Sequence, residues 1–167
     1  MIHVEVSAAV YPTEDPEKVA RAISELFSGI EIEEITPEAG KSESERAESG
    51  EAGSLAPFYL SGHGGLDLLF TLHGLIRREA IIDSMRNKAF NKGLSSDGLS
   101  VNFLLNKQAA FVGFPSVPAE EEPLGSIEVS IRADSPAEME RFFEWLLPLT
   151  EEGKPIVEVG MDYVERD

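Results

Sequence analysis

The sequence predicts an α+β domain in which an antiparallel sheet carries helices packed on one face. Three observations carry this expectation. Apolar residues alternate with polar or small ones in several short runs, which is the period of a half-buried strand. Other segments repeat apolar residues at helical spacing and open on Asp-Pro or Ser-Pro, a capping residue followed by a residue suited to the first turn. The later strands follow one another through turn-forming residues, so neighbours should pair antiparallel with the helices to one side. A chain of 167 residues suits one domain spanning residues 1–167.

Each element has its own warrant. Residues 2–10 alternate Ile2, Val4, Val6, Ala8 and Val10 against small or polar neighbours and predict the first strand. Asp15 and Pro16 open a helix whose Val19, Ala20, Ile23, Leu26 and Phe27 share a face, and Gly29 ends it. Ile30, Ile32 and Ile35 suggest a second strand. Residues 66–92 read as helix in two pieces broken near Gly74, stopped by Gly93 and the Ser95-Ser96-Asp97-Gly98 cluster. Leu99, Val101, Phe103 and Leu105 predict a strand, Asn106-Lys107-Gln108 a tight turn, and Ala109 to Phe114 the returning strand. Pro115 to Pro123 is a Pro/Glu loop, and Ile127, Val129 and Ile131 alternate as another strand. Asp134 or Ser135 caps a helix from Pro136 to about Leu147, and Ile156, Val157 and Val159 suggest a last strand. No internal repeat is visible.

Two stretches stand apart from this body. Residues 38–54 are nearly all Glu, Ser, Ala and Gly, a composition that buries no apolar surface, so residues 38–62 read as a mobile acidic insertion. Residues 148–167 read as a C-terminal extension.

Composition narrows the function classes. With no cysteine, disulfides, thiolate catalysis and zinc–thiolate sites are excluded, and a reducing, cytoplasmic compartment is the simplest expectation. The start Met1-Ile2-His3-Val4-Glu5 lacks the basic and apolar runs of a signal peptide. No apolar run approaches the ~20 residues that cross a bilayer, so no membrane partner is expected. His3, His63 and His73 lack close ligand spacing, so neither a metal nor another cofactor is expected. Gly62-His63-Gly64-Gly65 resembles an oxyanion loop, but no Gly-x-Ser-x-Gly elbow accompanies it, and the glycines suit a turn before a helix. No phosphate-binding or dinucleotide fingerprint occurs. A non-enzymatic protein is therefore expected.

The formal net charge is −17, which should repel nucleic acid, yet the charge is unevenly spread. Residues 77–107 hold Arg77, Arg78, Arg86, Lys88, Lys92 and Lys107 against only Glu79, Asp83 and Asp97. They also hold Asn87, Asn91, Asn102 and Asn106, with Gln108 adjoining. On a continuous helix Arg77, Ser84, Lys88 and Lys92 fall on one flank, while Glu79, Asp83 and Arg86 fall on the other and can pair. A cationic flank releases counterions from phosphates, and amides read base edges or 2′-hydroxyls. The candidate RNA contacts are Arg77, Lys88, Lys92, Asn106, Lys107 and Gln108. Phe103, Phe111 and Phe114 could stack bases if they face out, although their strand spacing also suits a core. The same basic residues suit a solvated helix face or pairing with the acidic stretch. Cations capped by carboxylates would instead favour a protein–protein adaptor that meets a basic partner through its acidic surface.

Leu104-Leu105-Asn106-Lys107-Gln108-Ala109-Ala110-Phe111-Val112-Gly113 is distinctive, as are Pro123-Leu124-Gly125-Ser126-Ile127-Glu128-Val129 and Pro12-Thr13-Glu14-Asp15-Pro16-Glu17-Lys18-Val19. Together they resemble an uncharacterised archaeal protein family described as RNA-binding proteins and as predicted exosome subunits. The resemblance covers residues 1–36 and 64 to about 147. It implies a fold similar to that of the large-subunit ribosomal protein that binds 5S rRNA. It also implies RNA, and proteins of an RNA-processing complex, as partners.

Overall fold

The computed structural model describes residues 1–35, 57–118 and 124–166, with the side chains of residues 90 and 91 outside the description. Strand β1 (His3–Val10) leads through α1 (Pro16–Leu26) to the short β2 (Glu33–Ile35). Strand β3 (Phe58–Gly64) is followed by a 3-10 turn (Leu66–Leu69), α2 (Phe70–Arg78), α3 (Ile82–Lys88) and a π turn (Ala89–Gly93). Then come β4 (Ser100–Leu105), α4 (Lys107–Phe111), β5 (Ile127–Arg132) and α5 (Pro136–Leu146). A small hairpin of β6 (Thr150–Glu151) and β7 (Lys154–Pro155) precedes α6 (Met161–Val164).

The main sheet has the order β2-β3-β1-β5-β4, and every neighbouring pair is antiparallel. Alternation decides its faces. Val4, Val6, Ala8 and Val10 of β1 are buried, as are Leu60, Ile127, Val129, Ile131, Val101, Phe103 and Leu105 on its neighbours. Val6 lies opposite Val129, and Val129 opposite Phe103, so the apolar rows continue from strand to strand. The helices cover this face with Val19, Ile23, Leu26, Leu72, Ile76, Met85, Phe142 and Leu146. The other face presents His3, Glu5, Tyr59, His63, Asn102, Glu128 and Arg132, all exposed.

The caps of the two long helices follow local chemistry. Asp15 accepts from the Glu17 amide at 3.0 Å, and Ser135 accepts from the Glu138 amide at 3.2 Å. Each satisfies one donor that the first helical turn leaves orphaned, and a proline follows each cap.

Several expected elements differ. The helix break falls at Ala80, which adopts φ 55°, rather than at Gly74. Gly74 lies inside α2 on its exposed side, where glycine costs only propensity. Residues 107–111 form helix α4 instead of a turn and returning strand, because Asn106 caps the segment by accepting from the Ala109 amide at 2.8 Å. The connection from β4 to β5 therefore opens on a helix rather than a tight hairpin.

Residues 58–62, assigned to the insertion, belong to β3 and pair with β1. Gly62 and Gly64 are strand residues rather than turn residues. A Cβ on Gly62 would lie 2.5 Å from the Ile30 side chain, so glycine lets the chain before β2 cross closely. Ile156 and Val157 form no strand and stay exposed. The acidic stretch 38–54 lies outside the described residues.

Candidate nucleic-acid interface

The six basic residues of the island do not form one patch. The break at Ala80 takes Arg77 out of phase with α3, so the expected single flank is divided. Arg77 points into the molecule. Its guanidinium donates to the Leu146 carbonyl at 2.7 Å, to the Trp145 carbonyl at 2.8 Å and to Glu158 at 2.7 Å. Arg86 donates to the Leu147 carbonyl at 2.7 Å. These are the orphan carbonyls that end α5, and α5 has no basic residue in its own last turn. Two arginines from α2 and α3 thus cap a helix distant in sequence. Of the two carboxylates expected to pair with Arg86, Glu79 meets Arg78 at 2.9 Å, and Asp83 accepts from the Thr150 hydroxyl at 2.5 Å.

Lys107 is also built into the fold. It is 7% exposed, and its ammonium donates to the Ala9 and Leu124 carbonyls and to Glu14. Asn106 uses its side-chain oxygen as the α4 cap. Gln108 is exposed on the same helix. Arg77, Asn106 and Lys107 therefore have structural partners, which local periodicity could not reveal.

Lys88 and Lys92 remain together. They line a shallow groove of about 350 Å³ with Ser84, Asn87 and Val117. Ser84, Lys88 and Lys92 are four residues apart, so one face of α3 and its π turn presents all three. Met85 and Ala89 anchor the opposite face in the core. Gly93 then allows contact with β4, since a Cβ there would lie 2.0 Å from the Asn102 carbonyl oxygen. The lysines are thereby carried at the edge of the sheet by a docked helix. Among the described residues that line it, the groove offers ammonium charge, a hydroxyl and an amide.

The segment leading to Val117 carries a second feature that periodicity did not identify. Arg78 lies over the Phe114 ring at 5.3 Å and donates to the Gly113 carbonyl at 3.0 Å. Phe114 is 45% exposed, whereas Phe111 is half-buried beneath Arg21 and Phe103 is buried. Only Phe114 of the three combines substantial exposure with a cation at its ring. The signal for it, Arg78, is in the island itself.

His73 stacks on Trp145 at 4.6 Å between ring centroids. Burial lowers its pKa below the ordinary 6.5, and the Arg77 charge adds to that shift. Among the described residues, no group of three or more His, Cys, Asp or Glu side chains could hold a metal ion. No helix among them is long and apolar enough to cross a membrane.

Comparison with known proteins places this chain in a family. A family model described as RNA binding matches residues 3–133. A UPF0201 protein of Methanosarcina acetivorans is 72% identical over 166 residues, 99% of this chain and 96% of the relative. One from Methanopyrus kandleri is 37% identical over 93% of this chain and 91% of its own length. The solved structure of a UPF0201 protein from Methanococcus jannaschii matches with TM-score 0.72 and 26% identity, over 93% of this chain and 99% of that one. The chain belongs to the archaeal UPF0201 family, whose RNA-binding family model spans the sheet, the basic groove and the Phe114 segment.

Proposed function

We propose that the protein binds single-stranded RNA without catalysis, at the groove of Lys88 and Lys92, with the exposed ring of Phe114 as a stacking surface. The observation that supports this most is the paired lysines beside Ser84 and Asn87 in a chain of net charge −17. Ammonium groups at i and i+4 suit successive phosphates, and the amide of Asn87 beside them suits a base edge or 2′-hydroxyl. The process is RNA processing or ribosome-related assembly in the cytoplasm, with proteins of an RNA-processing complex as further partners. On this reading the open antiparallel sheet shares its plan with the 5S-rRNA-binding ribosomal protein.

The test is fluorescence anisotropy with a labelled oligonucleotide across a salt series. Two phosphate contacts give a log–log slope of about −1.4 at ~0.7 per contact, and replacing both Lys88 and Lys92 by Gln removes it. Replacing Lys18 and Lys154 leaves it unchanged. Equal losses from both double variants would remove the reading. A second reading, an adaptor without direct RNA contact, draws on the capping of Arg77, Arg78 and Lys107 by Glu158, Glu79 and Glu14.

A further inference from the structure

A larger concavity than the lysine groove lies elsewhere, outside the stretch matched by the RNA-binding family model for most of its lining. It is an open groove of about 630 Å³ between α5 and the chain that follows it. Met139, Phe143 and Pro148 form the buried floor. Leu149, Ile156 and Val157 rise beside it at 64%, 58% and 65% exposure, and they are among the most exposed large apolar residues described. Neighbouring exposed apolar residues carry an energetic cost in water that a partner would relieve.

The charged lining on α5 is acidic, and the base that also lines the groove, Arg86, is turned to the Leu147 carbonyl. Glu140 and Glu144 project from successive turns of α5 and are exposed, and the Tyr163 hydroxyl donates to Glu144. Residues 138–166 hold eight acidic and three basic residues. One of those bases, Arg141, is turned to the Val164 and Arg166 carbonyls. The groove therefore joins an apolar floor to a negative rim. That combination repels RNA, and it repels a second copy of so acidic a chain.

We infer that this groove docks a basic amphipathic helix of another protein, apolar side on Met139, Phe143, Ile156 and Val157, cations toward Glu140 and Glu144. The lining residues Pro136, Met139, Glu140, Phe143 and Glu144 follow helical spacing along α5, the arrangement by which one helix offers a groove to another. The stripe runs for about 12 Å at 1.5 Å per residue, enough for two turns of a partner. Charge complementarity selects a cationic partner and sets its orientation. The interface gives the adaptor reading a place and a partner class, and it does not depend on RNA binding at Lys88 and Lys92.

The experiment titrates the full chain into a fluorescein-labelled amphipathic Leu/Lys peptide of about four helical turns. A scrambled peptide of the same composition and an amphipathic Leu/Glu peptide serve as comparisons. The Leu/Lys peptide should bind and the other two should bind far more weakly. Glu140→Gln with Glu144→Gln should weaken binding roughly two- to tenfold, as expected for two rim ion pairs. Val157→Asp, at an exposed position that leaves the core untouched, should weaken it by more than about tenfold. RNA affinity of the same variants should be unchanged, so the fates of the two sites are read separately. Equal binding of the scrambled peptide, or an equal loss from Glu33→Gln with Glu34→Gln, would reduce the effect to general acidity and overturn the proposal. So would unchanged binding by Val157→Asp. A wild-type dimer in sedimentation that Val157→Asp dissolves would assign the groove to self-association and overturn it too.

Discussion

The ammonium of Lys107 lies 3.1 Å from the carboxylate of Glu14, and the two side chains are only 8% and 12% exposed. Lys107 has three protons and three acceptors: Glu14 and the carbonyls of Ala9 and Leu124. Glu14 also accepts from the Tyr11 amide at 3.1 Å. The pair ties the end of β1, the entry to α1, the start of α4 and the approach to β5. Its desolvation is offset because every ammonium proton is used.

Lys107→Met should therefore destabilise the domain by about 3–5 kcal/mol, since it leaves a buried carboxylate without its counterion. Adding Glu14→Gln should restore part of that loss. Urea denaturation of the single and double variants measures it. A loss below ~1 kcal/mol would place the pair with surface ion pairs instead.

Phe103→Ala should cost about 3–5 kcal/mol, the usual range for removing a buried ring. Phe103 is 6% exposed and lies opposite Val129 in the sheet. The same denaturant measurement applies.

Gly93→Ala should cost at least ~2 kcal/mol, as overpacking against backbone does. The new methyl would meet the Asn102 carbonyl, which cannot move without disturbing β4. The π turn should lift from the sheet edge and carry Lys92 with it. Weaker RNA binding and faster amide exchange at Leu94, whose bridge to Val101 adjoins the contact, are the expected readouts.

His73 makes stability depend on pH. The unfolded chain takes up its proton near pH 6.5, whereas the folded chain, with the ring buried against Trp145 and near Arg77, takes it up only at lower pH. The unfolded state thus binds more protons in that window. Stability should fall as pH drops below 6.5 and level off beneath the folded value. His73→Phe keeps a ring on Trp145 and should remove this part of the pH dependence. Thermal midpoints of the two proteins between about pH 5 and 8 compare them directly.

Much of the frame was legible because it is local. Ile2 to Val10, Val101 to Leu105 and Ile127 to Ile131 alternate in sequence and in burial. Asp15 and Ser135 cap the helices they precede. The misreadings have two physical sources. Asn106 is a residue type shared by turns and helix caps, so a five-residue helix read as a hairpin. Ala80 takes a left-handed conformation that its residue type does not announce. The candidate site was harder for another reason. The carbonyl acceptors of Arg77 on α5 lie 69 and 68 residues further along, and Glu14, an acceptor of Lys107, lies 93 residues earlier. Helical periodicity can place a charge on a flank, but it cannot see an acceptor from another element. Lys88 and Lys92 kept their expected relation because α3 and its π turn alone determine it.

The capping of α5 by Arg77 and Arg86 has a consequence during synthesis. Arg77 leaves the ribosome 69 residues before the Leu146 carbonyl, and Arg86 leaves it 61 residues before the Leu147 carbonyl. Until α5 follows, the nascent chain carries two charged groups whose eventual acceptors do not yet exist. Helix α5 therefore completes the domain twice over, by closing its apolar core and by giving two positive charges their acceptors. A chain halted before Pro136 would leave both guanidiniums to solvent and present a more cationic surface on α2 and α3 than the finished protein does.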